Sequence, residues 1–172
     1  RFYPSICTTH TFQDRVETLR TARACGLNLC VGGIFGMGET CDDRVDLAFT
    51  LRELDVDTVP LNFLHRIHGT PLEARESLAP FTILSIIALF RFVLPRKEIK
   101  ICGGRESNLR DLQSLIFLAG ADSMMIGGYL TTAGRDPGLD WKMMDDLELT
   151  WTRRDQCRED AGDPEGEGTG KR

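Results

Sequence analysis

Segments of helical and strand periodicity alternate along the sequence, and this alternation constrains the fold more than any other feature. Thr11, with Asp14 three residues on, has the form of a capping box. Phe12, Val16, Leu19 and Ala22 follow at helical spacing, and Gly26 stands where that helix should stop. Leu27 to Phe35 reads as a buried strand closing on Gly32, Gly33 and Gly36. Thr40 and Asp43 open a second helix carrying Val45, Ala48 and Leu51–Leu54, and Thr58 to Leu64 is the next strand. Pro80 to Leu94 is a buried apolar helix, shorter than the ~20 residues of a bilayer span. Glu98 to Gly104 forms a third strand, and Asn108 with Asp111 caps a helix reaching Ala119–Gly120. Ser123 to Tyr129 is a fourth strand, followed by a short helix near Trp141–Leu149. The order predicts an α/β fold, with a parallel sheet covered by helices, as a barrel or a doubly wound sheet.

About four βα units make half a barrel. The expectation is a partial barrel over residues 1–150, with the other half lying N-terminal to Arg1. The chain starts with Arg and shows no charged-then-apolar leader, as expected of a piece inside a longer gene product or left after processing. Residues 151–172 are rich in Gly, Asp and Glu, offer no apolar face and should form a disordered tail. A formal charge of −5, with no basic stripe, argues against a nucleic-acid partner. The six cysteines include no CxxC or CxxxCxxC, so a local zinc ribbon or iron–sulfur loop is not expected. Reduced thiols in a cytoplasm are.

Strand parity gives a sharper signal, because side chains alternate between the two faces of a strand. Leu27, Leu29 and Val31 share one face of the first strand, and Asn28 and Cys30 the other. In the second strand Val59, Leu61 and Phe63 oppose Thr58, Asn62 and Leu64; in the third, Ile99 and Ile101 oppose Lys100 and Cys102. Parallel strands are usually apolar on both faces. One polar face implies a lumen for a polar or metal-bearing ligand, or else a few satisfied polar groups in a core.

The segments TTHTFQDRVETLRTARACGLNLCVGGIFGMGE, VPLNFLHRIHGTPL, IKICGGRESNLRDLQ and GADSMMIGGYLTTAGRDP, in that order and spacing, resemble the biotin synthase family. The resemblance runs from about Arg1 to Leu149. It implies the C-terminal half of a radical S-adenosylmethionine (βα)8 barrel of the TIM type. Such enzymes insert sulfur into dethiobiotin to form biotin. They use a 4Fe–4S cluster on a CxxxCxxC loop, S-adenosylmethionine, and an auxiliary iron–sulfur cluster (2Fe–2S or a variant). The loop does not occur here, so this chain alone is expected to be inactive. Dethiobiotin and a reductant such as flavodoxin or ferredoxin are the implied partners. A homodimer is among the assemblies allowed, and no membrane is implied.

Residue by residue, Cys30 matches the auxiliary-cluster cysteine on the strand before the GG turn, and a lumen thiolate is a soft iron ligand. Lys100 stands where well-known members place an arginine ligand, and Arg and Lys are not interchangeable. Cys102, one side-chain repeat on, is the other candidate for that place. Arg15 matches an arginine associated with the S-adenosylmethionine carboxylate. Ile34 matches a residue near the adenine, with Gly32 and Gly33 allowing close backbone approach. Asn62 matches an asparagine that contacts dethiobiotin; its amide could equally cap a backbone group. His10, His65 and His68 form no metal spacing, and Arg105 with Glu106 is expected to form an ion pair or help close the lumen. Other readings stay open. One is a related radical S-adenosylmethionine enzyme. Another is an aldolase-type barrel binding phosphate at GADSMMIGG. A third is a non-catalytic partial barrel that acts as a binding module.

Overall fold

The computed structural model describes residues 2–128 and 134–152. A 3-10 turn at Tyr3–Ser5 leads into α1 (Phe12–Ala24), β1 (Gly33–Phe35), α2 (Cys41–Glu53), β2 (Thr58–Phe63) and α3 (Pro80–Val93). Then come β3 (Glu98–Ile101), α4 (Arg105–Leu109), α5 (Leu115–Leu118), β4 (Ser123–Met124) and α6 (Pro137–Asp146). The strands form one parallel sheet in the order β1-β2-β3-β4, compatible with part of a βα barrel.

The expected Thr11–Asp14 capping box forms, and Thr40 with Asp43 makes a second: each threonine hydroxyl accepts from the amide of the aspartate three residues on, and each threonine amide donates to that carboxylate. Gly26, at φ +80°, ends α1 where an L side chain would be strained. α3 starts on Pro80, which lacks an amide and is tolerated in a first turn, and it buries Ile83, Ile86, Ile87, Phe90 and Val93. Its Phe90 meets Phe35 of β1 edge-on, with ring centroids 5.4 Å apart. Val59, Leu61, Phe63, Ile99 and Ile101 supply the sheet side of this core. Among the described residues no helix is long and apolar enough to cross a membrane.

Five elements differ from the sequence expectation. Leu27 to Phe35 is not one continuous buried strand: Leu27 is 58% exposed, and Cys30 makes only an isolated bridge to Thr58 before β1 begins at Gly33. Here the Asp57 carboxylate takes the Leu29 amide at 2.7 Å, so a side chain anchors this stretch. Asn108 does not start a helix. Gly104, at φ +78°, turns the chain into α4 one turn earlier, and Asn108 donates back to the Leu64 and Gly104 carbonyls. Arg110, at φ 53°, then splits the expected long helix into α4, a 3-10 turn at Arg110–Leu112 and α5. Two strands are shorter than expected: β3 ends at Ile101, and β4 covers only Ser123–Met124. The last helix begins earlier, at Pro137, capped by the Asp136 carboxylate on the Gly138 amide. Tyr129 and residues 153–172 of the expected tail lie outside the described residues.

One clamp occurs twice at the strand starts. Asp57 before β2 accepts from Leu29 and pairs with Arg23 of α1 at 2.9 Å. Asp122 before β4 accepts from the Ile99 amide at 2.7 Å and pairs with Arg91 of α3. Each aspartate thus ties an amide of the preceding strand segment to the helix that leads into that segment. Amide bonds from Leu29 hold the Asp57 carboxyl below the usual carboxylate range, and those from Thr11 do the same for Asp14. A carboxyl with a depressed folded pKa adds stability above its unfolded pKa near ~4 and loses it as pH falls through the folded value. The urea midpoint should therefore hold steady from pH 7 down to about 5 and drop between about 4 and 2. A midpoint unchanged to pH 2 would show that these carboxyls contribute nothing.

Candidate functional site

The sheet keeps the alternation read from the sequence. Along β2 and β3 every second residue is buried, and the intervening ones are only half-buried. Strand register arranges that open face in rows. Cys30 lies opposite Thr58, and Thr58 opposite Glu98. One side-chain repeat on, Pro60 pairs with Lys100, and Lys100 with Ser123. A further repeat on, Ile34 pairs with Asn62, and Cys102 follows Ile101, the partner of Leu61. Cys30, Lys100, Asn62 and Cys102 therefore share one face.

Glu98 ties this face together and was not singled out from the sequence. Its carboxylate accepts from Thr58 at 3.1 Å and Ser123 at 2.9 Å. Parity alone could have found it, since it lies two residues before Lys100 and four before Cys102.

The two thiols differ. Cys30 is exposed, whereas Cys102 is 7% exposed and donates to the Lys100 carbonyl at 3.8 Å. Burial pushes the Cys102 thiol up to about 11, and the charges of Cys30 and Glu98 add to the rise against the opposing pull of Lys100. At neutral pH Cys102 is a protonated thiol, and Cys30 is the accessible one. The described residues bring no three His, Cys, Asp or Glu side chains into a metal-holding group. Cys30 gives this face one accessible soft donor.

Asn62 is committed to the backbone. Its Oδ1 accepts from the Gly103 amide at 3.0 Å and its Nδ2 reaches the Gly33 carbonyl at 3.5 Å, so it fastens the β3–α4 turn to β1. Arg15, Gly32, Gly33 and Ile34 are brought together around one cavity of about 380 Å³ between α1, α2 and β1. Most of its wall is apolar, with Val16, Leu19, Val31 and Leu47 among the lining side chains. Packing accounts for both glycines. A Cβ on Gly32 would lie 1.9 Å from the Pro60 carbonyl oxygen, and one on Gly33 would lie 2.9 Å from Leu47 Cδ2. Glu39, also at this cavity, had no assigned role. Its carboxylate accepts from the Gly36 and Met37 amides at 2.9 Å and pairs with Arg44 at 2.8 Å, which fixes the GMGE turn. His65 and His68 are exposed, against Ser107 and Glu73. Arg105 stands 4.0 Å from Glu106, and its close partner is Asp140 at 2.8 Å.

Fold and face together define a βα-repeat protein with an apolar helix-covered side and a polar side made of thiol, amine, amide and carboxylate groups. Residues 60–150 match the model of the Biotin and Thiamin Synthesis associated domain, and the chain belongs to that family. It is 60% identical over 148 residues to the biotin synthase of Geobacter metallireducens, covering 86% of this chain and 45% of that protein. It is 56% identical over 149 residues to the biotin synthase of Geobacter sulfurreducens, covering 87% and 45%. Over 148 residues it is 57% identical to the biotin synthase of Endomicrobium trichonymphae, covering 86% and 46%. The chain spans a little under half the length of these curated relatives.

Proposed function

We propose that this chain is the C-terminal half of a biotin synthase and forms the sulfur-insertion side of its barrel. The reading rests above all on the single polar sheet face carrying Cys30, Asn62, Lys100 and Cys102. Identity of 54–60% to biotin synthases over most of the chain supports it. When bound, S-adenosylmethionine and the iron–sulfur clusters would supply a carbon radical and the sulfur atom.

The chain's residues have the work of holding and orienting. Cys30 offers an exposed thiol as a cluster ligand, and Lys100 or Cys102 takes the remaining place. Arg15, with Gly32, Gly33 and Ile34, meets the adenosyl donor at the cavity edge, its guanidinium matched to a carboxylate. Asn62 faces dethiobiotin while its Oδ1 is held by the Gly103 amide. An upstream strand would pair with the edge of β1 to extend the sheet, and an external reductant would complete the system.

The isolated chain, reconstituted anaerobically with iron, sulfide and dithionite, should yield no 5′-deoxyadenosine from S-adenosylmethionine. Joined behind the upstream part of the Geobacter metallireducens relative, it should form biotin from dethiobiotin. Robust 5′-deoxyadenosine from the isolated chain, or a folded, cluster-bearing joined protein that forms no biotin, would refute the proposal.

A further inference from the structure

Cys7 and His10 have no part in that function, yet they stand in an organised cluster. The segment before α1 folds back so that Cys7 Sγ lies 3.6 Å from His10 Nδ1, and Thr9 Oγ1 lies 3.5 Å from the sulfur and 3.0 Å from that ring nitrogen. His10 Nε2 lies 2.8 Å from the Tyr3 hydroxyl. This is the order of a nucleophile, a proton partner and a group that orients the partner. The fold sets each member. His10 precedes the Thr11 cap of α1, and the Tyr3 ring packs edge-on against Phe12 in the first turn of α1, with centroids 5.6 Å apart. The neighbouring charges are on α1 as well: the Asp14 carboxylate acts on His10, and the Arg15 guanidinium acts on the Tyr3 hydroxyl. Cys7 is half-buried and His10 exposed, so a small solute can reach the sulfur.

We propose that Cys7 is a thiol-modification site that reacts with hydroperoxides, with His10 as its proton partner and Tyr3 positioning the imidazole. The thiol proton passes to His10, leaving a thiolate beside an imidazolium. The sulfur attacks one oxygen of hydrogen peroxide, so an S–O bond forms as the O–O bond breaks. The departing hydroxide takes the imidazolium proton and leaves as water. Sulfur is oxidised by two electrons to a sulfenic acid, and the peroxide is reduced. Hydrogen bonds from the Thr9 hydroxyl, and then from the His10 amide, bring the thiol down to about 7, which supplies thiolate at neutral pH.

The test uses the whole chain, treated with hydrogen peroxide, trapped with a 1,3-dione and mapped by mass spectrometry. Iodoacetamide rates across pH are measured alongside. Cys7 should carry the trapped sulfenic acid ahead of the exposed Cys25, Cys30 and Cys41, and should alkylate with a midpoint near 7. Thr9→Val should move that midpoint toward an ordinary thiol near ~8.5, cutting alkylation at pH 7 by about tenfold. His10→Gln should slow sulfenic acid formation by about a hundredfold at equal thiolate, the lower end of what a positioned proton donor contributes. Circular dichroism checks that both variants stay folded. A Cys7 midpoint above about 8, or a folded His10→Gln chain oxidised at the parent rate, would overturn the proposal.

Discussion

Asp140→Ala is expected to lower the unfolding free energy by about 3–5 kcal/mol, the cost of leaving a buried charge without its partner. Asp140 is 0% exposed and Arg105 3%, so neither can turn to water when the other is lost. The pair is bidentate: Arg105 Nη2 meets Oδ2 at 2.8 Å, and Nη1 meets Oδ1 at 3.1 Å. Gln113 accepts from the same guanidinium, and Arg135 Nε approaches Oδ1 at 3.4 Å. After the substitution the Arg105 guanidinium would keep Gln113 and a 3.5 Å contact to the Met125 carbonyl, with no counter-charge of that quality. The loss is large against the roughly 5–15 kcal/mol of a typical domain. Urea unfolding followed by circular dichroism measures it.

The companion variant separates an orphaned charge from lost packing. Arg105→Met combined with Asp140→Leu removes both charges and leaves apolar volume, a change that is often close to neutral in buried pairs. The double variant should therefore be markedly more stable than Asp140→Ala, by about 2 kcal/mol or more, and the coupling is read from the cycle. Equal destabilisation of the two would mean that shape at this junction, and not charge, holds α6 against the β3–α4 turn.

Where local chemistry decided the structure, the sequence could be read directly. The two capping boxes and the Gly26 stop each depend on residues within four positions of one another, and all three formed. Alternation along β2 and β3 was legible for a similar reason, since parity is a property of a single strand. Partners distant in the chain defeated the reading. Leu27 looked like core, but the Leu29 amide is anchored by Asp57, 28 residues on, and Leu27 lies in solvent. Asn108 had the form of a helix cap, yet the Leu64 carbonyl, 44 residues back, takes its amide. The packing of Gly32 and Gly33 also depends on distant residues, since the Pro60 carbonyl and the Leu47 side chain occupy the space their missing Cβ atoms leave. The polar face itself was visible, and the order of its rows was not, because register is set by pairing between strands.

That register bears on the largest functional effect. In the joined protein, Cys30→Ala should abolish biotin formation and lower auxiliary iron, while cleavage of S-adenosylmethionine continues. Cys30 is the exposed thiol of the face, and a methyl group offers iron nothing. The second position can be ranked by geometry. Lys100 lies one side-chain repeat from the Cys30–Thr58–Glu98 row, and Cys102 lies two repeats away. Cys102 is also buried and protonated, with its thiol raised to about 11, so ligation there would have to work against desolvation. The long side chain of Lys100 can span the extra repeat. Lys100→Met should therefore change the Mössbauer spectrum of the auxiliary iron, and Cys102→Ser should leave it as it was. An altered spectrum in Cys102→Ser with a parental one in Lys100→Met would reverse the ranking. Undiminished auxiliary iron in Cys30→Ala would remove this face from the cluster altogether.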